Sequence, residues 1–249
     1  MAACCSSRKI KPCACPPQFN FDCDCTPPPT ALAPINRFGS HFTAGNVSPF
    51  TSSGSGTVSA AGPNATRLLC QPPGTAPGTI SRALTLNYPS STTFDFGTDD
   101  FSVCLDFKLD QFAVAAGPAT NDSALFRIRF TAPVFNANLL FEASLPFAGP
   151  NFRVLVVSAT DSSGYLPLGP IDLLPHKLKM SAQRSTGTFT FDMDNGNVVQ
   201  TYTFAPADYP VGGAQPRIEA RARNTSINVG SVADVVLDEL CVSWGKAAP

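Results

Sequence analysis

From Ile80 onward, apolar and polar residues alternate in short runs. The clearest run is Phe101–Leu109. There Phe101, Val103, Leu105, Phe107 and Leu109 fall on one side, and Ser102, Cys104, Asp106 and Lys108 on the other. Successive side chains of a strand point to opposite faces, so this is the pattern of a half-buried strand. Leu125–Thr131 repeats it, with Phe126, Ile128 and Phe130 inward and Arg127 and Arg129 outward. Further strands are expected at Ile80–Tyr88, Asn138–Ser144, Phe152–Ser158, Lys177–Gln183, Thr186–Asp194, Val198–Phe204, Arg217–Arg223 and Val235–Trp244, with turn residues between them. Asn195-Gly196, between FTFDMD and VVQTYTF, is a hairpin signal, because a type I′ turn needs positive φ at both central positions. No segment sustains a helical period. About ten strands without helices predict an antiparallel sandwich or barrel.

The chain upstream is different. Residues 1–35 form a Cys/Pro-rich N-terminal arm holding Cys4, Cys5, Cys13, Cys15, Cys23 and Cys25, with Pro27, Pro28 and Pro29 behind them. Proline removes backbone donors and favours extended conformations, so the arm is expected to be extended. Residues 36–78 are rich in Gly, Ser, Thr and Pro and read as loops with short strands at the entry to the main domain, which spans 36–249.

Composition narrows the function. Of 249 residues, 43% are apolar, enough for one large β-domain with a sizeable core. Only 14% are charged, well below the usual ~25%. A surface so poor in charge is either covered by small polar residues or buried against partners. The net charge is −1 with no basic run, so no cationic face for nucleic acid is expected. No apolar run is long enough to span a membrane. The start, MAACCSSRKIKPCACPP, lacks the apolar h-region of a secretory signal and has no Gly at position 2 for myristoylation. Synthesis in a cytoplasm without ordinary secretion is therefore expected, and a virion protein released by lysis would fit, as would a plain cytosolic protein. The three sequons, at Asn64, Asn121 and Asn224, then read as chance occurrences.

Several segments together resemble the concanavalin A-like superfamily in its laminin-G-like form. These are FGTDDFSVCLDFKLD, ALFRIRF, NLLFEASL, the hairpin HKLKMSAQRSTGTFTFDMDNGNVVQTYTF and the closing VVLDELCVSWG. The resemblance covers Ile80 to Gly245. It implies an all-β fold, an antiparallel two-sheet β-sandwich (jelly roll), with first and last strands near each other. That superfamily holds lectins, adhesion domains, glycoside hydrolases and virion surface proteins, so fold leaves function open. If the strands holding Cys104 and Cys241 are neighbours, as the resemblance implies, the two thiols come close. A disulfide would then need Cα atoms about 4.4–6.8 Å apart.

Chemistry is sparse. Glycoside hydrolysis needs two carboxylates roughly 5–10 Å apart. Asp238 and Glu239 are adjacent and should face opposite sides of a strand, and Asp192 and Asp194 lead into a turn. His41 and His176 are the two histidines, and no nucleophile elbow or phosphate loop accompanies them. Cys13-x-Cys15 and Cys23-x-Cys25 could hold zinc, although paired ligands normally stand about two to four residues apart. Disulfides between chains and free thiols are the other readings of the arm. Asp161, Asp194 and Asn195 are oxygen donors of the kind calcium takes, and ordinary turn polarity is the plainer account of them. For sugar, an exposed aromatic beside polar groups is wanted. Tyr165, in DSSGYLPLG, is the best candidate, whereas Trp244 alternates with Leu240 and Val242 and should be core.

These observations predict a non-catalytic structural or attachment protein needing no cofactor. A virion surface component is the first expectation, such as a capsid decoration or fibre protein that docks or cross-links through its arm. Its partners would be other subunits, in a homo-oligomer or capsid lattice. A lectin-like module binding cell-surface glycan is the alternative, and a glycoside hydrolase the third.

Overall fold

A computed structural model describes residues 36–73, 80–88, 94–97, 99–114, 122–131, 139–146, 151–224 and 230–246. The six arm cysteines lie outside the described residues. Among the described residues sixteen strands follow one another. The first eight are β1 (Asn36–His41), β2 (Thr51–Gly54), β3 (Thr57–Ala60), β4 (Thr66–Cys70), β5 (Ile80–Asn87), β6 (Phe94–Asp95), β7 (Asp99–Ala113) and β8 (Ser123–Thr131). The others are β9 (Leu139–Leu145), β10 (Asn151–Val156), β11 (Leu166–Pro170), β12 (Pro175–Gln183), β13 (Thr188–Met193), β14 (Val198–Thr203), β15 (Gly213–Asn224) and β16 (Val232–Lys246).

They build two 8-stranded sheets, antiparallel at every described ladder. Sheet 1 has the order β14-β13-β12-β7-β16-β4-β3, with β1 also paired to β16. Sheet 2 has the order β11-β10-β9-β8-β15-β5-β2, with β6 paired to the start of β15. The longest strands, β7 and β16, sit side by side inside sheet 1. Their inward residues, from Phe101 to Leu109 and from Val235 to Trp244, are buried.

The apolar faces meet through aromatic rings. Phe107 of sheet 1 lies 5.2 Å from Phe126, 5.6 Å from Phe141 and 5.7 Å from Phe152, all of sheet 2. Phe101 lies 6.2 Å from Phe130. Each such pair adds about 0.5–1.5 kcal/mol beyond burial of its area. Period-two patterning thus becomes one continuous core, in which Trp244 belongs as expected.

The structure refines the sequence expectation in three places. Residues 36–70, read as loops with short strands, hold four short strands. β4 alternates in burial, with Thr66, Leu68 and Cys70 inward, and lies between β16 and β3. β2 is an edge strand that ends at Gly54. Its φ is +118°, and a Cβ there would stand 2.2 Å from the Ala83 carbonyl oxygen. Only glycine fits.

The β13–β14 turn is centred on Asn195-Gly196 as expected, since Met193 pairs with Val198, and the positive φ extends back to Asp194. Asp194 and Asn195 have φ of 58° and 57°, with Gly196 following at 91°. Asp194 is held there by its carboxylate, as described below. Finally, the β7–β16 ladder skips Asp238, so that Glu239 stands opposite Asp106. This β-bulge breaks the strict alternation assumed from sequence.

Candidate functional site

Tyr165 lies in the loop just before β11, at the edge of sheet 2, and is 49% exposed. Its loop is closed by hydrogen bonds. Ser158 N donates to Asp161 O at 2.9 Å, and Ser163 N donates to Val156 O at 3.0 Å. Asp161 N donates to Ser158 Oγ at 3.0 Å. The Tyr202 hydroxyl of β14 donates to Asp161 Oδ2 at 2.8 Å. That bond holds the Tyr202 phenol above its ordinary range, and it ties the loop to sheet 1.

The Arg153 guanidinium lies 3.6 Å from the Tyr165 ring centroid. Arg153 is in turn gripped by Glu142 of β9, which takes Nε at 2.8 Å and also Nη2. Glu142 and Arg153 are opposite in register. The result is a half-exposed aromatic ring on a fixed loop, backed by a locked cation. Sequence singled out Tyr165 but not Arg153, because the contact joins residues on two different elements.

The Glu142–Arg153 pair continues across the sheet. Arg127 of β8 faces Glu142 on one side and Glu219 of β15 on the other. Arg129 and Arg217 face each other one step along. Glu219 accepts from Arg127 Nε and, at 2.9 Å, from Arg129 Nη2, and lies 3.2 Å from Arg217 Nε. Burial draws Arg129 below its ordinary pKa, Glu219 opposes this, and the neighbouring Arg127 and Arg217 add to it. Composition and the lack of a basic run predicted no cationic face. The fold makes one by bringing together arginines about 90 residues apart in sequence.

His176 points inward at the start of β12. Its Nδ1 is 2.8 Å from Asp194 Oδ2 and its Nε2 is 2.9 Å from Asp172 Oδ1. Lys177 N donates to the other Asp194 oxygen at 2.9 Å. The ring packs 4.9 Å from Phe152 and 5.5 Å from Phe107. This buried imidazole joins the loop before β12 to the β13–β14 turn, which is a structural role.

Of the oxygen donors considered for calcium, Asp161 and Asp194 are spent on Tyr202, His176 and backbone amides. Among the described residues no group of three or more His, Cys, Asp or Glu side chains converges as a metal site.

Cys104 and Cys241 are direct partners in the β7–β16 ladder, on the face away from the core, so the expected closeness of the two strands is met. Cys70 is a core thiol that donates to Ala220 O at 3.2 Å, and burial pushes its pKa up to about 12.

The bulge in β16 has a chemical consequence that sequence reasoning missed. Asp106 stands opposite Glu239 and also feels Asp238. Its pKa is raised to about 6, first by burial and then by those two carboxylates, while Lys177 at 3.7 Å opposes the rise. A carboxylate cluster therefore does exist, on the outer face of sheet 1.

No protein-family model matches the chain, and no curated protein matches its sequence. Solved structures do match. Lectin I from Ulex europaeus, in complex with the methyl glycoside of α-L-fucose, aligns with TM-score 0.56 at 11% identity over 84% of this chain and 98% of that one. The winged bean acidic lectin, complexed with methyl-α-D-galactose, aligns with TM-score 0.55 at 10% identity over 86% of this chain and 100% of that one. The lectin UEA-II complexed with galactose gives 0.54 and 11%, over 84% and 98%. At such identities the likeness is one of fold. The chain has the concanavalin A-like jelly-roll fold. Among the described residues no helix is long and apolar enough to cross a membrane.

Proposed function

We propose that this protein is a non-catalytic carbohydrate-binding module that serves in attachment. The observation that carries this is the Tyr165 platform: a half-exposed ring, fixed by its loop and backed by Arg153, beside the polar Glu142 and Gln200 strands. A sugar ring stacks its apolar face on such an aromatic and turns its hydroxyls to flanking polar groups. Saccharide-bound lectins among the structural neighbours support the same reading. With that support we put glycan binding ahead of a purely structural subunit, the reverse of the order expected from sequence. Display at a virion surface, with the Cys/Pro-rich arm as tether, is the setting we propose for it.

Affinity electrophoresis tests the reading. The full chain should be retarded in gels containing dissolved polysaccharide, and Tyr165→Ala should restore free migration without changing the unfolding midpoint. Equal retardation of both proteins would contradict it. Release of reducing sugar by the wild type, lost in Glu239→Gln, would replace it with a hydrolase built on the Asp106–Glu239 pair.

A further inference from the structure

Among the described residues, the outward face of sheet 2 holds more arginine than carboxylate. β8 and β15 are neighbours, and they present Arg127, Arg129, Arg217, Arg221 and Arg223 against one carboxylate, Glu219. Strands lie about 4.8 Å apart and rise about 3.4 Å per residue, so these five guanidiniums share a strip roughly 20 Å long. Glu219 is divided among three of them. Arg221 and Arg223 have no ion-pair partner among the described residues, and Arg221 is exposed. Arg129 Nε is buried with no hydrogen-bond acceptor. Clustered like charges oppose folding, and a buried guanidinium N–H without an acceptor costs more. An anion laid on the strip would relieve both.

Guanidinium is the donor best matched to planar or tetrahedral oxyanions, through paired N–H bonds. The face also carries saccharide-compatible groups: Thr85 and Ser53 lie in the row of Glu219, and Asn87 in the row of Arg217. Around the arginine strip it lacks what nucleic acid would need: among the described residues, the outward positions of β8, β15 and β5 include no aromatic ring on which a base could stack.

We propose that the outward face of β8 and β15 binds acidic saccharide, so that the ligand class of this module is a glycan bearing carboxylate or sulfate groups. The inference rests on the carbohydrate-binding reading and adds the charge of the ligand to it. Arg221 and Arg223 are its principal anion contacts. Glu219 holds Arg127, Arg129 and Arg217 in position behind them.

Calorimetric titration of the full chain tests this with four polymers: dextran sulfate, polygalacturonate, neutral dextran and poly(U). The two acidic polysaccharides should bind, with whichever is tighter separating sulfate from carboxylate recognition, and dextran should not. Affinity should fall at least ~10-fold between 50 and 300 mM NaCl, on the order expected for exposed charge pairs. The double variant Arg221→Ala/Arg223→Ala should lose at least ~10-fold, about 1.4 kcal/mol, with an unchanged unfolding midpoint. Arg221→Lys/Arg223→Lys should recover only part of that.

Unchanged affinity in the double alanine variant would overturn the inference, as would tighter binding of poly(U) than of either polysaccharide. Tyr165-dependent binding of neutral saccharide without acidic binding would overturn it and leave the carbohydrate-binding reading standing. Binding of no saccharide at all would end both.

Discussion

Replacing Glu219 by Gln isolates the electrostatics of sheet 2 with almost no change in shape. In the wild type one carboxylate accepts from Arg127 and Arg129 and lies beside Arg217. Glu219 is 12% exposed and Arg129 17%, so water replaces little of what is lost. The amide removes the charge and turns an NH2 group toward at least one guanidinium. Removing one partner of a fully buried pair costs about 3–5 kcal/mol, and a hydrogen bond to a charged group about 1.5–3 kcal/mol. The partial exposure of Arg217 and Arg127 lowers the total, and about 2–3 kcal/mol is the expected loss. For a domain of this size that is a fall of roughly 5–10 °C in Tm.

Urea unfolding at pH 7 should show the loss as a lower midpoint with an unchanged slope. Because the cost is repulsion among Arg127, Arg129 and Arg217, salt should return part of it, and dextran sulfate should return more than chloride at equal ionic strength. A change below about 0.5 kcal/mol, the scatter of ordinary surface substitutions, would refute the keystone role of Glu219. So would a variant that salt destabilises further.

Other outcomes follow from single side chains. Asp106 binds its proton more tightly folded than unfolded, so its contribution is present at low pH and is lost as pH rises from about 4 through about 6. The full shift would be worth about 3 kcal/mol, and solvent screening at this partly exposed site reduces it to about 1 kcal/mol. Asp106→Asn should therefore match wild type in denaturation at pH 4 and exceed it by about 1 kcal/mol at pH 7.5; lower stability at pH 7.5 would contradict the account. Gly54→Ala should cost about 2 kcal/mol or more by the same assay, because its Cβ would collide with the Ala83 carbonyl at a φ reserved for glycine; a neutral result would mean that β2 is not docked on β5. Iodoacetamide at pH 8 should leave Cys70 unmodified in the native protein and label it only in denaturant, as peptide mass spectrometry would show.

Much of the core was legible because it depends on a local rule. Phe101–Leu109 and Leu125–Thr131 alternate with period two, and the structure buries the side that the alternation assigns inward. β4 and β11 escaped notice because TRLLC and LPLGP are too short for periodicity to stand out. β2 and β3 sit at sheet edges with mostly exposed side chains, so nothing apolar marks them. The β16 bulge was invisible for another reason: alternation assumes one residue per pleat, and Asp238 breaks it.

The site divides in the same way. Tyr165 stood out as an aromatic in a Gly/Ser loop. Its partner Arg153, and the convergence of Arg127 and Arg129 on Glu219, depend on register between strands remote in sequence. Composition averages the whole surface, so a net charge of −1 concealed a cationic face.

The central claim is that this jelly roll binds saccharide, and a glycan array carrying neutral and acidic glycans tests it most directly. The full chain should bind a defined subset enriched in carboxylated or sulfated glycans, and Tyr165→Ala, folded to the same Tm, should lose that binding. A blank array for the wild type, or a pattern unchanged by Tyr165→Ala, would contradict the account.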